Sequence, residues 1–429
     1  MKKVLFFIYF SLVVIATNVY VYAEEVMLPN DGVYTGLDVM SEEEMEAFHN
    51  TIPMIVDVKP NSIALSRLSE EESLLFENID IAEIGEEMIY AMPGEETSIL
   101  MSETTEFPLK SAVDVSKSPT FPPIGNQGQT SSCMEWSLCY YQLTNNHNVI
   151  NNLEAKKINN GVIEPIEENI IAPGFIFSLI NGGINQSANY EVVCNAIMTH
   201  GSPNTNLYDL DITTESLRKW CTDTNVWYDA IFNKPEKISY KLINANNDNS
   251  VLESINDIKK MLSNGYVVSI STFVNSFEYT TVTKTGEYAC RYMKNDMQGA
   301  HAMTIVGYDD TFGIDVNGDG EIRNDELGAF KIANSWGAID QENNPYKDGY
   351  IWMTYDALYN ESLLNDMPTN RQGAIDVWYY IEAQKNYTPL LVAEVEIAAA
   401  QRNCISVLFG LAKMGDNEIY KYVVLCDAI

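Results

Sequence analysis

Basic residues are scarce in this chain. Lys and Arg number 26 against 60 Asp and Glu, a formal net charge of −34. A chain this acidic is repelled by phosphate backbones and anionic lipids, so no nucleic acid and no acidic membrane surface is expected as a partner. Histidine is rarer still, with only His49, His147, His200 and His301. The seven cysteines include no C-x-x-C pair, so their spacing suggests no metal site and leaves their pairing open. Tandem repeats are absent. Apolar runs of membrane-spanning length are absent too. The longest, Val4 to Ala16, follows Lys2-Lys3 and leads to a small-residue exit at Val21-Tyr22-Ala23. That pattern is a secretory signal over residues 1–23, too short to favour a spanning helix. The expected product is extracellular or cell-surface associated, with no membrane span after cleavage.

Charge divides the rest of the chain. Residues 24–108 carry 21 acidic side chains against Lys59 and Arg67 alone. Within them Ser41–His49 and Ser69–Phe76 have helix signals, and Met54–Val58 has a strand signal. This acidic segment is expected to be a pro-segment that occupies a cleft, or else a separate N-terminal domain. At the other end, residues 384–429 offer three strand candidates, Leu390–Ile397, Ile405–Leu411 and Ile419–Leu425, a run too short to bury much core alone.

Between these ends, Pro122 to Leu143 holds the residues with the most specific chemistry. Ser132 and Glu135 have capping-box spacing, which makes Cys133 the first residue of a helix. Trp136, Cys139, Tyr140 and Leu143 recur at helical spacing as its buried stripe. A thiol at a helix start is biased toward thiolate, the nucleophilic form. The turn Asn126-Gln127-Gly128 would return the Gln127 amide toward it as an oxyanion donor beside the Cys133 N–H. A nucleophilic Cys needs a base. His49 lies in the acidic segment, His147 in a polar run expected to be a loop, and His200 at a helix end. His301 instead opens the alternating strand AHAMTIVGYDD, where His301, Met303 and Ile305 share a face. Downstream stands Lys331-Ile332-Ala333-Asn334-Ser335-Trp336-Gly337.

In order and in local context, Gln127, Cys133, His301 within Gly299–Tyr308, and Asn334 before Ser335-Trp336-Gly337 resemble the papain family of cysteine peptidases. Thr130 stands where that family usually has a disulfide-forming Cys, so that bridge is absent. The resemblance implies a papain-like α+β fold of two lobes over residues 109–383, a helical one followed by a β-rich one. It also implies peptide or protein substrates, zymogen activation, and a monomer whose chemistry needs no cofactor. Asn334 would orient His301, and Trp336 would shield their bond. Gly182 and Gly183, in Ile180-Asn181-Gly182-Gly183, would contact substrate backbone along with Trp336.

Asp315 to Glu326 fits a twelve-residue calcium loop. Oxygens of Asp315, Asn317, Asp319, Glu321 and Glu326 would encircle Ca²⁺ and clip the strands that carry His301 and Asn334. Two other functions remain compatible with the sequence. One is a catalytically silent papain-like binding protein; the other is a calcium-dependent surface module.

Overall fold

The computed structural model describes residues 36–69, 88–95, 107, 109–209, 221–281, 287–338, 345–385, 387, 407–411 and 421–426. Its strands are β1 (Met54–Val58), β2 (Met88–Ala91), β3 (Ala112–Asp114), β4 (Lys156–Asn159), β5 (Val162–Pro165), β6 (Pro235–Leu242), β7 (Val268–Phe273), β8 (Phe277–Thr281), β9 (Tyr288–Lys294), β10 (Ala300–Gly313), β11 (Leu327–Ala333), β12 (Tyr350–Thr354), β13 (Arg371–Gln372), β14 (Val377–Ala383), β15 (Val407–Leu411) and β16 (Lys421–Cys426). Twelve form one mixed sheet, ordered β13-β9-β12-β11-β10-β7-β14-β6-β1-β2, with β3 on β10 and β8 on β9.

The helices precede most of that sheet in the chain. Cys133–Glu135 winds into a π-helical stretch, Trp136–Leu143, and then into Thr144–Asn151; Pro173–Ile180, Tyr190–His200 and Thr224–Phe232 follow. The α+β class and its order, helices first and strands after, are those expected. β10 explains how the parts meet. It is buried on both faces from His301 to Tyr308. Met303 and Ile305 join a core with Val251, Ile255 and Ile258, the apolar stripe of the helix Asp248–Ser263. Ala302, pointing the other way, packs among Cys133, Met134 and Leu138.

Two expectations fail for one reason. The stripe Trp136–Leu143 is not a stripe, because every residue from Ser132 to Asn146 is buried. The polar run around His147 is not a loop but helix. Its asparagines reach main chain on the sheet and neighbouring loops: Asn145 Nδ2 donates to Gly265 O (2.9 Å) and Asn146 Nδ2 to Ile381 O (2.9 Å). Polar side chains here act as mortar for a helix with no solvent face.

The acidic N-terminal segment is built into the same sheet. Ser41 caps the expected helix, observed as Glu42–His49, and Glu44 completes its capping box. β1 pairs with β2 and with β6, and Ile55 and Val58 belong to the main core. Asn61 donates twice to Asn264, from its N to Asn264 Oδ1 and from its Nδ2 to Asn264 O. Arg67 donates to Leu262 O and Ser263 O, the last carbonyls of the long helix. The sheet therefore crosses the boundary expected at residue 108. The helix expected at Ser69–Phe76 and the strand at Leu390–Ile397 lie outside the described residues. The other two C-terminal candidates form the antiparallel pair β15–β16. Among the described residues, no helix is long and apolar enough to cross a membrane.

Candidate active site

The β10–β11 register assembles the imidazole and its partner. Thr304 pairs with Ala333 and Ile305 with Ile332. Carried three residues further, that register sets His301 across from Trp336. Their rings stack at 4.8 Å between centroids. One turn of the loop earlier, Asn334 Oδ1 lies 2.8 Å from His301 Nε2 and also accepts the Ser335 N–H at 2.7 Å. Because that oxygen only accepts, Nε2 carries the ring hydrogen and Nδ1 is the basic nitrogen. Nδ1 is buried with no hydrogen-bond partner among the described residues. Cys133 Sγ sits 3.5 Å from the N–H of Ala302, the next residue after His301.

The Gln127 loop runs beside the Asn334 loop as a short ladder. Gln127 N donates to Ser335 O (2.7 Å) and Gly337 N to Gly125 O (2.9 Å). Ser335 Oγ donates to Gln127 Oε1 at 2.5 Å, which turns the amide so that Nε2 faces the start of the Cys helix, where it donates to Thr130 O at 2.7 Å. The expected capping box is not formed. Ser132 Oγ pairs with Thr130 Oγ1 at 2.7 Å, and the Glu135 carboxyl is buried with neither oxygen bonded among the described residues. Burial pushes that carboxyl up to about 8. In the family pattern a Cys occupies the Thr130 position. Here a hydroxyl ties the turn instead.

A strap lies over the thiol. Residues 36–38 run extended along Ala188: Ala188 N donates to Gly36 O (3.2 Å), and Asp38 N donates to Ala188 O (2.8 Å). Gly36 N–H points at Cys133 Sγ, 3.2 Å away. A Cβ built on Gly36 would lie 2.0 Å from the Ser131 carbonyl oxygen, so no side chain fits there. Beyond it Met40 is buried among Met134, Leu138 and Phe48. His49, in the acidic segment, is stacked on Tyr240 at 3.8 Å, with Nε2 3.0 Å from Tyr379 Oη. It anchors the strap's helix to the sheet.

Covering the site reverses the electrostatics expected of a helix start. Burial pushes the Cys133 thiol up to about 12, against the opposing pull of the Ala302 and Gly36 N–H groups. Burial also pushes His301 down to about 4, opposed by its bond to Asn334. Both groups are held neutral.

Gly182 and Gly183 form a left-handed turn after Pro173–Ile180, with φ of 61° and 87°. The main chain that pairs with the strap belongs to Ala188, five residues beyond Gly183. Alongside the strap, a cleft is lined by Met45, Tyr190, Thr272, Met293 and Asp376. These residues come from separate elements, and no motif marks them in the sequence. His200 ends its helix as expected, capped by Gly201 at φ 68°.

The Asp315–Glu326 loop is closed on itself. Asp315 Oδ1 accepts from Gly318 N (2.7 Å) and Asp319 N (3.1 Å), and its Oδ2 accepts from Gly320 N (2.9 Å). Glu326 accepts from Val316 N and Arg323 N, both at 2.9 Å, and the Asp319 carboxylate pairs with Arg323. Among the described residues no three acidic, His or Cys side chains are gathered as metal ligands. In this arrangement the carboxylates of Asp315 and Glu326 are engaged by the loop's own N–H groups, and that of Asp319 by Arg323.

No known family's profile matches the chain, and no curated protein matches it. Solved structures with a similar fold include a recombinant stem bromelain precursor, at 15% identity and TM-score 0.41 over 66% of this chain and 76% of that one. Xylellain, a cysteine protease from Xylella fastidiosa, is 19% identical at TM-score 0.41 over 66% and 91%. Procathepsin B S9 from Trypanosoma congolense is 14% identical at TM-score 0.43 over 82% and 87%. These likenesses are distant, and the chemistry assigned to this chain rests on its own residues.

With the thiol pushed up to about 12, Cys133 is almost wholly un-ionised at pH 8. Replacing Gly36→Leu must displace the strap. Iodoacetamide labelling of Cys133 in the full chain at pH 8, followed by peptide mass against a Cys133→Ser control, should quicken at least about tenfold. An unchanged rate would contradict the covering contact.

Proposed function

We propose that the chain is a secreted papain-like cysteine peptidase held latent by residues 36–40. The observation that carries this reading is a thiol sulfur 3.5 Å from the backbone N–H of the residue after His301, whose ring is bonded to Asn334, with an extended backbone crossing the thiol as a substrate would. Once the strap leaves, Cys133 Sγ attacks the scissile carbonyl carbon, and His301 Nδ1 takes the thiol proton. The same nitrogen returns it to the departing amine, and water then releases the acyl group. Asn334 holds Nε2–H and favours the imidazolium. The oxyanion is held by the Cys133 N–H and by the Gln127 amide, which has two hydrogens to give. Trp336 would screen the His301–Asn334 bond from water, and Gly182 and Gly183 would contact substrate backbone. Turnover of a fluorogenic peptide panel should vanish in Cys133→Ala, and Asn334→Ala should lose about tenfold or more in kcat. Equal turnover by parent and Cys133→Ala sinks the peptidase reading in favour of a binding protein.

Activation in this reading needs only the strap to leave. Residues 41–69 stay, because β1 and its contacts complete the core. Acid should favour the opening. His301 is held near 4 while covered, against an ordinary value near 6.5. Between those values the open state binds protons that the covered state refuses, so closure is fully favoured above about pH 6.5 and weakens as pH falls toward 4. Hydrogen exchange at Gly36–Met40, corrected for intrinsic rates, should be faster at pH 4.5 than at pH 7. Equal protection at both would remove the acid trigger.

Calcium remains a proposal for the loop. A bound ion would have to take Asp319 from Arg323 and turn the Asp315 carboxylate off the loop N–H groups. If it does, the melting temperature should rise with millimolar Ca²⁺ and fall with EDTA. No shift and no calorimetric binding would assign the loop to its own hydrogen bonds.

A further inference from the structure

The ladder between the Gln127 and Asn334 loops ties those loops to each other. It does not tie them to the helix that carries the nucleophile. One hydroxyl does. Tyr141 lies two turns beyond Cys133 in the π-helical stretch, wholly buried, its ring parallel to Phe121 at 5.3 Å and edge-on to Tyr140 at 5.1 Å. Its Oη donates to Asn334 O at 2.7 Å and accepts from Gly125 N at 2.9 Å. The donor and an acceptor position of the hydroxyl are thus both used, and on the two loops at once. Gly125 stands two residues before Gln127. A Cβ there would lie 2.1 Å from the Trp136 ring, so the loop is pressed against the same helix. The Asn334 N–H donates to Gly349 O at 2.9 Å. Tyr141 and Gly349 therefore hold its peptide groups from both sides while Oδ1 is aimed at His301. Burial raises the phenol well above 10, so it remains a donor throughout the working pH range.

We propose that Tyr141 is a positioning residue for peptide hydrolysis: its hydroxyl sets the Cys133 helix in register with the Asn334 and Gln127 loops. This rests on the peptidase reading above. Tyr141 touches no reacting atom and acts through the placement of Asn334 and Gln127. Misplacement of such groups by a fraction of an ångström is costly in rate, because only aligned groups meet the transition state.

The test is Tyr141→Phe in the full chain, with and without Gly36→Leu to open the site. The ring and its stacking remain, while the Gly125 N–H and the Asn334 carbonyl lose their partner. The kcat for a fluorogenic peptide should fall between about tenfold and a hundredfold with KM within about twofold. In the pH profile of Cys133 alkylation, the alkaline limb should move to lower pH, since a loosened Asn334 supports the imidazolium less. A lower melting temperature with kcat and the pH profile unchanged would mean a structural role only and overturns the proposal. Should Tyr141→Phe fail to fold, 4-aminophenylalanine at the same position keeps a donor for Asn334. It should retain kcat within about threefold, and a loss beyond tenfold overturns the proposal. If the parent chain turns over no peptide, the peptidase reading fails on its own. The alkylation profile still reports whether Tyr141 places Asn334 against His301.

Discussion

A helix without a solvent face governs this structure. From Ser132 to Asn146 every side chain is buried, and each polar one is a liability of about 1–3 kcal/mol unless it finds a partner. The Glu135 carboxyl finds none among the described residues, but most of the others meet that demand by reaching outward. Ser137 Oγ lies 2.7 Å from Ser269 Oγ on β7 and 2.9 Å from Thr304 Oγ1 on β10. Gln142 Nε2 donates to Val267 O and Tyr379 O. Tyr141 reaches the two loops. The helix is thereby fixed against the strand that begins with His301 and against the loop that holds Asn334. Cys133 at its first residue is positioned by bonds made along its whole length.

The same enclosure accounts for the latency proposed for the chain. A thiol and an imidazole brought together in water would lean toward the charged pair. Here the strap removes that water, and burial drives Cys133 up to about 12 and His301 down to about 4. The cover is narrow, a few residues threaded past Ala188 with glycine at the one point where nothing larger fits. Its anchor is broad. The helix Glu42–His49, β1 and the Asn61–Asn264 and Arg67 contacts belong to the core. A segment divided in this way can lose its first residues and keep the rest.

Much of the site was legible because its motifs are local. Cys133 before an apolar helix, His301 opening an alternating strand, and Asn334 before Ser335-Trp336-Gly337 each carry a signal within a few residues, and the antiparallel register brings the last two together. The misreadings concern partners that the local pattern does not report. Nothing near His147 reports that its asparagines bond to Gly265 and Ile381, and nothing near His49 reports Tyr240 and Tyr379. The serine and glutamate spacing at Ser132 and Glu135 suggests a capping box, yet Thr130 and burial claim those side chains. The role of Tyr141 was hidden for the same reason. A tyrosine in an apolar helix looks like core until its hydroxyl is seen between Gly125 and Asn334. The calcium loop fits its pattern position by position, but pattern matching does not reveal that Arg323 holds Asp319.

The central claim is that Cys133 is a peptidase nucleophile covered by the strap, and that residues from Ser41 onward remain part of the active molecule. The most direct measurement follows peptide turnover in the full chain with a specific protease site inserted between Asp38 and Ser41, while intact mass reports the cut. Turnover should rise in step with cleavage, with residues 41–69 still bound and folded, and should be absent when Cys133 is alanine. Turnover that is the same before and after the cut, or that appears only when residues 41–69 are also lost, would contradict the account.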